Sequence, residues 1–532
     1  MNKIKYLAFL IPLLLTASCL GLHGLSFVYS DSADYLIEAH RLWSQGSNIF
    51  SEAFVHRYWK PTFFPLWTSI FFFPAKGSFF WGTLISLSLS LCLFIFSLNS
   101  ILKKFINSKE ALFLTILITL QAPFLSNGLH LMSEGWALSF WTLSLFFYLS
   151  SFKKGKILAA FSLGLGAMIS PVLTTLYFLP FYLILFYQQT KKNKGAALYF
   201  IWPLLPIILY IIFFFHHSSP HWVWSLAAIF CFFLSLCFKN CPKTNYLFLI
   251  ISLIFPWSWY SLHLSMLWDW VYLSSFSPYA QATGKFSIQR FKEYQGYLEF
   301  LPLGLCALWI TLLGVLLKDH LKKKKELFSL VLIIIVPLIL AFLLSANGDL
   351  RYFKWPFFLL LSGSLVLFWE QLSHLKKYIC LGLLLIGALL SSLYLFQNNN
   401  ERFITIKQIH EQLINVLPPE SRIGVIPLGT KDNDLLQSRA IFQFFSYEKG
   451  LKHDFNFLDE RARSEWEKKN FFLIGPCEDK DQIDPSLPIS SKEFSKYCPD
   501  FSQERKELHF ILKENSESKE LTILTVPNSP LL

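Results

Sequence analysis

Charged residues are scarce in this 532-residue chain: Asp, Glu, Lys and Arg make up 15% of it, against about 25% in soluble domains. Hydrophobic residues account for 54% and aromatic residues for 18%, and 56 residues are Phe. This balance excludes a wholly soluble protein. It predicts a polytopic α-helical membrane protein with one soluble domain of about 130 residues.

Metal-binding patterns, internal repeats and low-complexity tracts are also missing. The nine cysteines show no spacing typical of a metal site, and most lie in apolar runs, where a buried thiol is the ordinary interpretation. Cys477 and Cys498 lie in the polar C-terminal region. If that region is exported they either form a disulfide or remain free. The sequence names no cofactor and leaves open whether a divalent metal takes part.

The formal net charge of +12 would suggest a nucleic-acid partner for a soluble protein. Here the Lys and Arg residues concentrate in alternate short loops between apolar runs, which the preference of basic loops for the cytoplasmic side explains. We therefore predict no nucleic-acid binding and a cytoplasmic N-terminus. The basic loops contain Lys3 and Lys5, Lys103 and Lys104, Lys153 and Lys154, Lys191 to Lys194, Lys322 to Lys325, and Lys376 and Lys377.

Apolar runs of about twenty residues predict roughly thirteen transmembrane helices. The first run continues past Cys19, which favours an uncleaved span over a signal peptide. The aromatic segment 62–75 is short and is expected at the membrane interface, and Ser170-Pro171 is expected to break the long run 157–187. The predicted spans are 6–25, 79–98, 111–125, 135–152, two within 157–187, 196–215, 222–238, 246–264, 298–317, 327–345, 355–369 and 378–396.

Residues 397–532 differ from residues 1–396, the predicted transmembrane domain, because they mix charged and apolar residues as soluble domains do. Their patterns predict a small α/β domain. An odd number of spans places this domain on the extracytoplasmic side of the cell membrane. The predicted elements are helices at 403–417 and 434–445 and strands at 422–427, 471–475 and 521–526.

The predicted first outer loop, residues 26–61, concentrates acids and bases: Asp31, Asp34, Arg57 and Lys60. Carboxylates beside lipid are costly unless they are paired or used. An acid can deprotonate or orient an acceptor hydroxyl, and basic groups can hold a leaving phosphate on which charge develops. The combination favours transfer of a sugar from a lipid phosphate.

The first loop resembles that of the polytopic GT-C glycosyltransferases, especially the protein mannosyltransferase and lipid A aminoarabinose transferase branches. In that class an acid stands four residues before a Tyr, as Asp31 does before Tyr35, and Lys-Pro-Thr at 60–62 resembles its Lys-Pro-Pro element. Ser32 stands where the class has Glu, and Ser170 stands before Pro171 where relatives often have Arg.

Two later outer loops extend the resemblance. Glu134 stands where the class often has an acid at the start of the fourth span, and Arg351-Tyr352 matches its late Arg-Tyr before an apolar span. Arg351 also lies on the outer face against the charge bias, which favours a functional role. Thirteen spans with an external α/β domain resemble the aminoarabinose branch.

The resemblance implies an inverting enzyme of the cell membrane that moves a sugar from a polyprenyl-phosphate donor to a lipid, glycan or protein acceptor. We predict catalytic roles for Asp31 and Asp34, donor-phosphate binding by Arg57, Lys60, Arg351 and Tyr352, and acceptor binding or orientation by Tyr35 and Glu134.

Structural and functional alternatives exist for these residues. Asp31 and Glu134 could cap helices, and Arg57 and Lys60 could anchor the chain at the interface. For the whole chain, the alternatives are a transporter or flippase of lipid-linked sugars and a polymerase or ligase of surface polysaccharide. A transporter is expected to carry its polar residues at mid-membrane on broken helices. Here they gather in the loops of one face, which favours the enzyme.

Overall fold

The structure is a computed structural model, and it describes eleven segments of the chain together with isolated positions elsewhere. The segments are residues 30–46, 63–121, 133–152, 154–170, 369–398, 422–425, 439–451, 454–457, 471–474, 507–514 and 517–525.

Two short helices lie in and just after the predicted first outer loop. Helix α1 spans Ser30–Ser44, and helix α2 spans Phe64–Ser69 and continues into a one-turn 3-10 helix at Ile70–Phe72. Pro65 stands in the first turn of α2, where its missing N–H costs nothing. The α2 segment is far shorter than the about twenty residues that a span needs. It therefore does not cross the membrane, in agreement with the prediction for 62–75.

Longer apolar helices follow on both sides of the undescribed central region. They are α3 at Phe79–Leu102, α4 at Ser108–Thr119, α5 at Ser133–Leu149, α6 at Gly155–Ile169 and α7 at His374–Asn398. The predicted spans that begin near residues 79, 135 and 378 are confirmed as helices. The predicted helix end before Pro171 is also confirmed, because Ser170 has left the helical conformation, with φ −140° and ψ 88°. The span predicted after this break lies outside the described residues.

Within the described residues, α3 and the 374–391 part of α7 are the two helices long and apolar enough to cross a membrane. At 24 residues, α3 is about 36 Å long, which exceeds the hydrocarbon thickness of about 30 Å. The total of thirteen spans stays a prediction, because many of the predicted spans fall outside the described residues. Large apolar side chains are exposed along both helices, as lipid contact requires, including Trp81, Leu89, Phe96, Ile386, Leu389 and Leu393.

The third predicted span was expected over 111–125, but α4 ends at Thr119 and Leu120 is its C-cap. Gln121 then turns its side chain back and donates from Nε2 to the carbonyl of Leu384 on α7 at 2.7 Å. Pro123 follows in the sequence and disfavours a helical residue before it. The prediction was based on a count of apolar residues, and it therefore extended the helix past its observed end at Thr119.

Hydroxyl side chains hold α5 against α3. Ser139 Oγ lies 3.0 Å from Ser90 Oγ and donates to the Ser90 carbonyl at 2.8 Å. Trp136 Nε1 donates to Ser86 Oγ at 3.0 Å. Small hydroxyl residues let helices approach closely and satisfy polar groups where water is absent. These contacts fix the N-terminal half of α5, which carries Glu134.

The C-terminal region contains one described helix and a five-stranded sheet. The elements are β1 at Arg422–Val425, α8 at Arg439–Glu448, β2 at Asp454–Phe457, β3 at Phe471–Ile474, β4 at Glu507–Glu514 and β5 at Glu517–Thr525. The strand order is β2-β1-β3-β5-β4. Strand β1 runs parallel to β2 and β3, whereas β5 runs antiparallel to β3 and β4.

The strands predicted at 422–427, 471–475 and 521–526 are confirmed, and the helix predicted at 434–445 corresponds to α8. Strands β2 and β4 were missed. The helix predicted at 403–417 lies almost entirely outside the described residues. The domain boundary at 397 and the side of the membrane on which this region lies remain predictions.

A tight turn before α3 brings Gly77 against Trp43 of α1. Gly77 has φ +80°, a conformation that glycine adopts without steric cost. A Cβ atom at this position would lie 2.3 Å from Cη2 of the Trp43 ring. The turn therefore depends on glycine both for its backbone and for the space that the indole occupies.

Gly77→Ala is expected to lower the free energy of unfolding by roughly 2–5 kcal/mol, because strain at positive φ and displacement of a rigid ring add together. Gly46→Ala is the matched control, since Gly46 has φ +57° but nothing within 4 Å of its added Cβ. It should cost only roughly 1–2 kcal/mol. Denaturant titration in detergent micelles measures both. Equal losses would show that the Trp43 contact does not constrain the turn.

Candidate active site

Helix α1 carries two buried carboxylates one turn apart. Asp34 and Glu38 expose 9% and 6% of their surface, and residues four apart lie on the same face of a helix. Arg41 donates to both oxygens of Glu38, from Nη2 at 3.0 Å and from Nε at 3.1 Å. A forked pair of this kind compensates the burial of both charges.

The backbone of Asp31 lies in the first turn of α1, which begins at Ser30. An acid there is favoured by the partial positive charge of the helix N-terminus. The position differs from the capping alternative, in which the residue precedes the helix. Tyr35 follows one turn later, is 6% exposed, and packs edge-to-face on Phe64 of α2 with ring centroids 4.9 Å apart. The Asp31–Tyr35 spacing is therefore one turn of a helix whose Tyr is anchored on α2.

Glu134 lies in the first turn of α5, exposes 6% of its surface, and accepts a hydrogen bond from Ser133 Oγ at 3.2 Å. The aromatic rings of α2 reach the same helix. Trp67 packs edge-to-face on Trp136 at 5.1 Å, and Phe71 stacks on that indole at 5.4 Å. Helix α2 thus contacts both α1 and α5, the two described helices that carry predicted site residues.

Three buried donors on α1 and α2 have no hydrogen-bond partner in the structure: Ser32 Oγ, Trp67 Nε1 and Thr68 Oγ1. Ser32 and Thr68 are fully buried. An unsatisfied buried donor costs about 1–3 kcal/mol, and such groups call for a specific explanation. Hydroxyl and indole donors suit the oxygens of a sugar or a phosphate.

His40 of α1 makes several ring contacts, although the sequence did not single it out. The ring of His40 stacks on Phe79 of α3 at 4.5 Å and contacts Trp43 and Phe72 at 4.9 Å and 5.6 Å. Its Nδ1 lies 3.0 Å from the hydroxyl oxygen of Tyr447 on α8. These two residues are 407 positions apart in the chain, so no local pattern could have paired them.

Burial lowers the pKa of His40 below its ordinary value, and a hydrogen bond with the backbone of Gly77 partly offsets this. Burial raises the pKa of Tyr447, Arg41 lowers it, and Glu38 raises it. Both rings are therefore neutral near pH 7. A neutral imidazole has one donor and one acceptor nitrogen. If the donor nitrogen of His40 donates to the backbone of Gly77, then Nδ1 of His40 accepts the hydrogen bond that the Tyr447 hydroxyl donates.

Acidification is expected to destabilise this contact. Because folding lowers the pKa of His40, the unfolded state binds its proton more readily. The free energy of unfolding should therefore be highest above the ordinary pKa of about 6.5 and fall as the pH drops below it. The charged groups that act on Tyr447 are Arg41 and Glu38. Thermal unfolding of the wild type and of His40→Phe between about pH 5 and pH 8 measures the effect. Identical pH profiles of the two proteins would contradict it.

The remaining predicted residues are not located by the structure. The side chain of Asp31 and the predicted phosphate-binding residues Arg57, Lys60, Arg351 and Tyr352 lie outside the described residues. Their roles stay predictions. Within the part of the chain that the structure describes, no group of three or more His, Cys, Asp or Glu residues is placed to hold a metal ion.

Comparison with known proteins gives a likeness to solved structures alone. No family model and no curated protein matches the chain. The crystal structure of ArnT from Cupriavidus metallidurans bound to undecaprenyl phosphate is similar over 98% of this chain and 97% of that chain, with 12% identity and a TM-score of 0.49. The apo state of the same protein gives the same coverage and identity with a TM-score of 0.39.

Proposed function

We propose that the chain is a membrane glycosyltransferase of the GT-C class. It transfers a sugar from a polyprenyl-phosphate donor to a lipid, glycan or protein acceptor at the extracytoplasmic face, with inversion. The observation that carries the proposal is helix α1, which holds the buried carboxylates Asp34 and Glu38 in a loop between two predicted spans. Buried acids are retained where they are paired or used, and here two of them lie one turn apart on one helix, with Glu38 paired to Arg41.

The proposed chemistry is a single displacement. Asp31 takes the proton of an acceptor hydroxyl, and the acceptor oxygen bonds to the anomeric carbon as the bond from that carbon to the phosphate oxygen breaks. The bonding electron pair leaves with the polyprenyl phosphate, and one displacement inverts the anomeric centre. Arg57, Lys60 and Arg351, with Tyr352, hold the phosphate as its charge develops.

Acceptor binding is assigned to the polar groups around α2. Tyr35 and Glu134 lie on the two helices that α2 contacts, and Ser32, Trp67 and Thr68 offer unpartnered donors. Sugar hydroxyls both donate and accept, so they can pair with carboxylate oxygens and with these donors at the same time.

The placement of the described acids favours an enzyme over a transporter of lipid-linked sugars. A transporter places its polar residues near mid-membrane, on broken helices. The buried acids among the described residues are Asp34 and Glu38 on α1 and Glu134 in the first turn of α5. All three belong to loops or to a helix end. The second candidate function remains a flippase, and a polysaccharide polymerase or ligase is the third.

The experiment compares surface glycolipids and glycoproteins by mass spectrometry in cells with and without the chain. Loss of a single sugar increment from one acceptor class is expected. Purified protein in detergent is then given undecaprenyl-phosphate-linked sugars together with the acceptor class that lost its sugar in the cells, and the release of undecaprenyl phosphate is followed. An enzyme turns over in detergent, whereas a flippase needs two membrane faces. Unchanged surface glycans together with no turnover in detergent would refute the proposal.

A further inference from the structure

The C-terminal helix α8 packs on the helix that carries the acids. Its residues Phe442, Phe444 and Phe445 are buried. Phe444 packs edge-to-face on Phe79, the first residue of α3, with centroids 5.0 Å apart. Helix α8 lies between the parallel strands β1 and β2 in the chain and packs against β2. It also packs against α1. The C-terminal sheet is therefore connected to the predicted first outer loop through α8.

The polar centre of this contact is the hydrogen bond between His40 and Tyr447. Both partners are about half buried, and the imidazole contacts the rings of Trp43, Phe72 and Phe79. Partial burial beside aromatic rings lowers the local dielectric, which strengthens a hydrogen bond. The hydrogen bond also sets the relative orientation of His40 and Tyr447, which apolar packing alone does not.

The anchored ring and the acids lie on different sides of α1. His40 follows Glu38 by two residues, which is about 200° around a helix of 3.6 residues per turn. On another side of α1, Tyr35 packs against Phe64 of α2. A helix held at several angles cannot rotate, and rotation of α1 would move Asp34 and Glu38 away from their positions. The hydroxyl of Tyr447 is also within electrostatic range of Arg41 and Glu38.

We propose that Tyr447 is a positioning residue of the proposed active site, whose hydrogen bond to His40 fixes the rotation of α1 and thereby the position of its acids. The C-terminal region then acts on the reaction through α1 without touching the substrate. The part of this inference that concerns transfer rests on the proposed function, whereas the part that concerns the order of α1 does not.

The first test is amide hydrogen exchange of residues 30–44 in the full-length protein in detergent. Tyr447→Phe removes one hydroxyl and keeps the ring, so exchange should become about 2–10-fold faster, the usual effect of losing one hydrogen bond. Tyr378→Phe is the matched control, because Tyr378 on α7 is 68% exposed. In this variant the amide hydrogens of residues 30–44 should exchange at the wild-type rate. Wild-type exchange in Tyr447→Phe would overturn the proposal.

The second test asks whether the hydroxyl acts through His40. His40→Phe removes the acceptor and keeps an aromatic ring against Phe79. Adding Tyr447→Phe to this variant should then produce no further increase in exchange, since the two changes remove the same bond. Fully additive increases would show that the hydroxyl orders α1 by another route and would overturn the pairing.

The third test is kinetic. Tyr447→Phe is expected to lower kcat several-fold with an unchanged KM for an undecaprenyl-phosphate-linked sugar, because a displaced acid weakens the transition state more than donor binding. Faster exchange with an unchanged kcat would overturn the positioning role. If the wild-type protein transfers no sugar, the proposed function fails, and the exchange measurements alone decide whether Tyr447 orders α1.

Discussion

Asp31→Asn is expected to lower the rate of sugar transfer by about 10²–10⁴-fold, the usual loss when a general base is removed. Asn has the size of Asp but cannot take the proton of the acceptor hydroxyl. The charge that it removes from the first turn of α1 is worth only about 0.3–1 kcal/mol to the helix. The variant should therefore stay folded and inserted while it loses activity. Initial rates with purified protein in detergent measure the loss.

Glu370→Gln is the control for this substitution. Glu370 is an exposed acid in a 3-10 helix, next to the predicted cytoplasmic loop, and its amide variant should turn over like the wild type. Near-normal turnover of Asp31→Asn would remove Asp31 from the mechanism. Asp34 would then be the next candidate, since it is a buried acid one turn of α1 from Glu38.

Glu38 is a weak candidate for the base. Arg41 donates to both of its oxygens, so an incoming hydroxyl would have to compete with two charge-assisted hydrogen bonds. The sequence places all three acids within eight residues but does not show that Glu38 is paired with Arg41. That pairing is a property of the folded helix.

Elements with a long apolar run were predictable from the sequence, whereas their ends were less so. Helix α4 starts at Ser108 because the side chain of Asn107 accepts a hydrogen bond from the Lys109 N–H, and helix α7 starts at His374, before its apolar run. Capping residues and basic first turns are polar, and a count of apolar residues leaves them out. The predicted span over 79–98 stopped at Leu98 because the polar residues Asn99 and Ser100 follow, whereas α3 continues to Leu102.

The missed strands had weak local signals. Strand β2 is the four-residue segment Asp-Phe-Asn-Phe at 454–457, and half of its residues are types depleted in strands. Strand β4 at 507–514 begins and ends with Glu. Strand β2 pairs with β1, far earlier in the chain, and such pairing is not visible in a local window. Strand β4 pairs with β5, which follows after residues 515–516, so this hairpin was a local signal that the prediction overlooked.

Candidate residues could be singled out in the sequence, but their contacts could not. Asp31 and Asp34 stand out because acids are rare in an apolar chain, and Tyr35 stands out by its spacing from Asp31. The pairing of His40 with Tyr447 depends on a contact between residues 407 positions apart. A His among aromatic residues gives no sign of such a partner in the sequence alone.

Lys60→Ala and Arg351→Ala are each expected to raise the activation barrier for transfer by roughly 2–4 kcal/mol, by analogy with the loss of one preorganised donor at a developing charge. Both residues stand at predicted outer-face span entries, where the phosphate of a lipid donor would lie. Their charges would neutralise the phosphate of the bound donor and, more strongly, the phosphate released in the transition state. Rates measured against the concentration of an undecaprenyl-phosphate-linked sugar, in proteoliposomes, report the loss.

Arg351→Lys separates charge from geometry. It keeps the positive charge but replaces a planar fork with a point charge, so it should restore only part of the activity that Arg351→Ala loses. Lys76→Ala is the control for loss of a surface lysine, since Lys76 lies in the exposed turn before α3, and it should leave the rate unchanged. Wild-type donor affinity and rate in both Lys60→Ala and Arg351→Ala would place the phosphate elsewhere. The basic residues between Lys285 and Lys292 would then be the next set to replace, because they lie in the largest predicted loop between later spans.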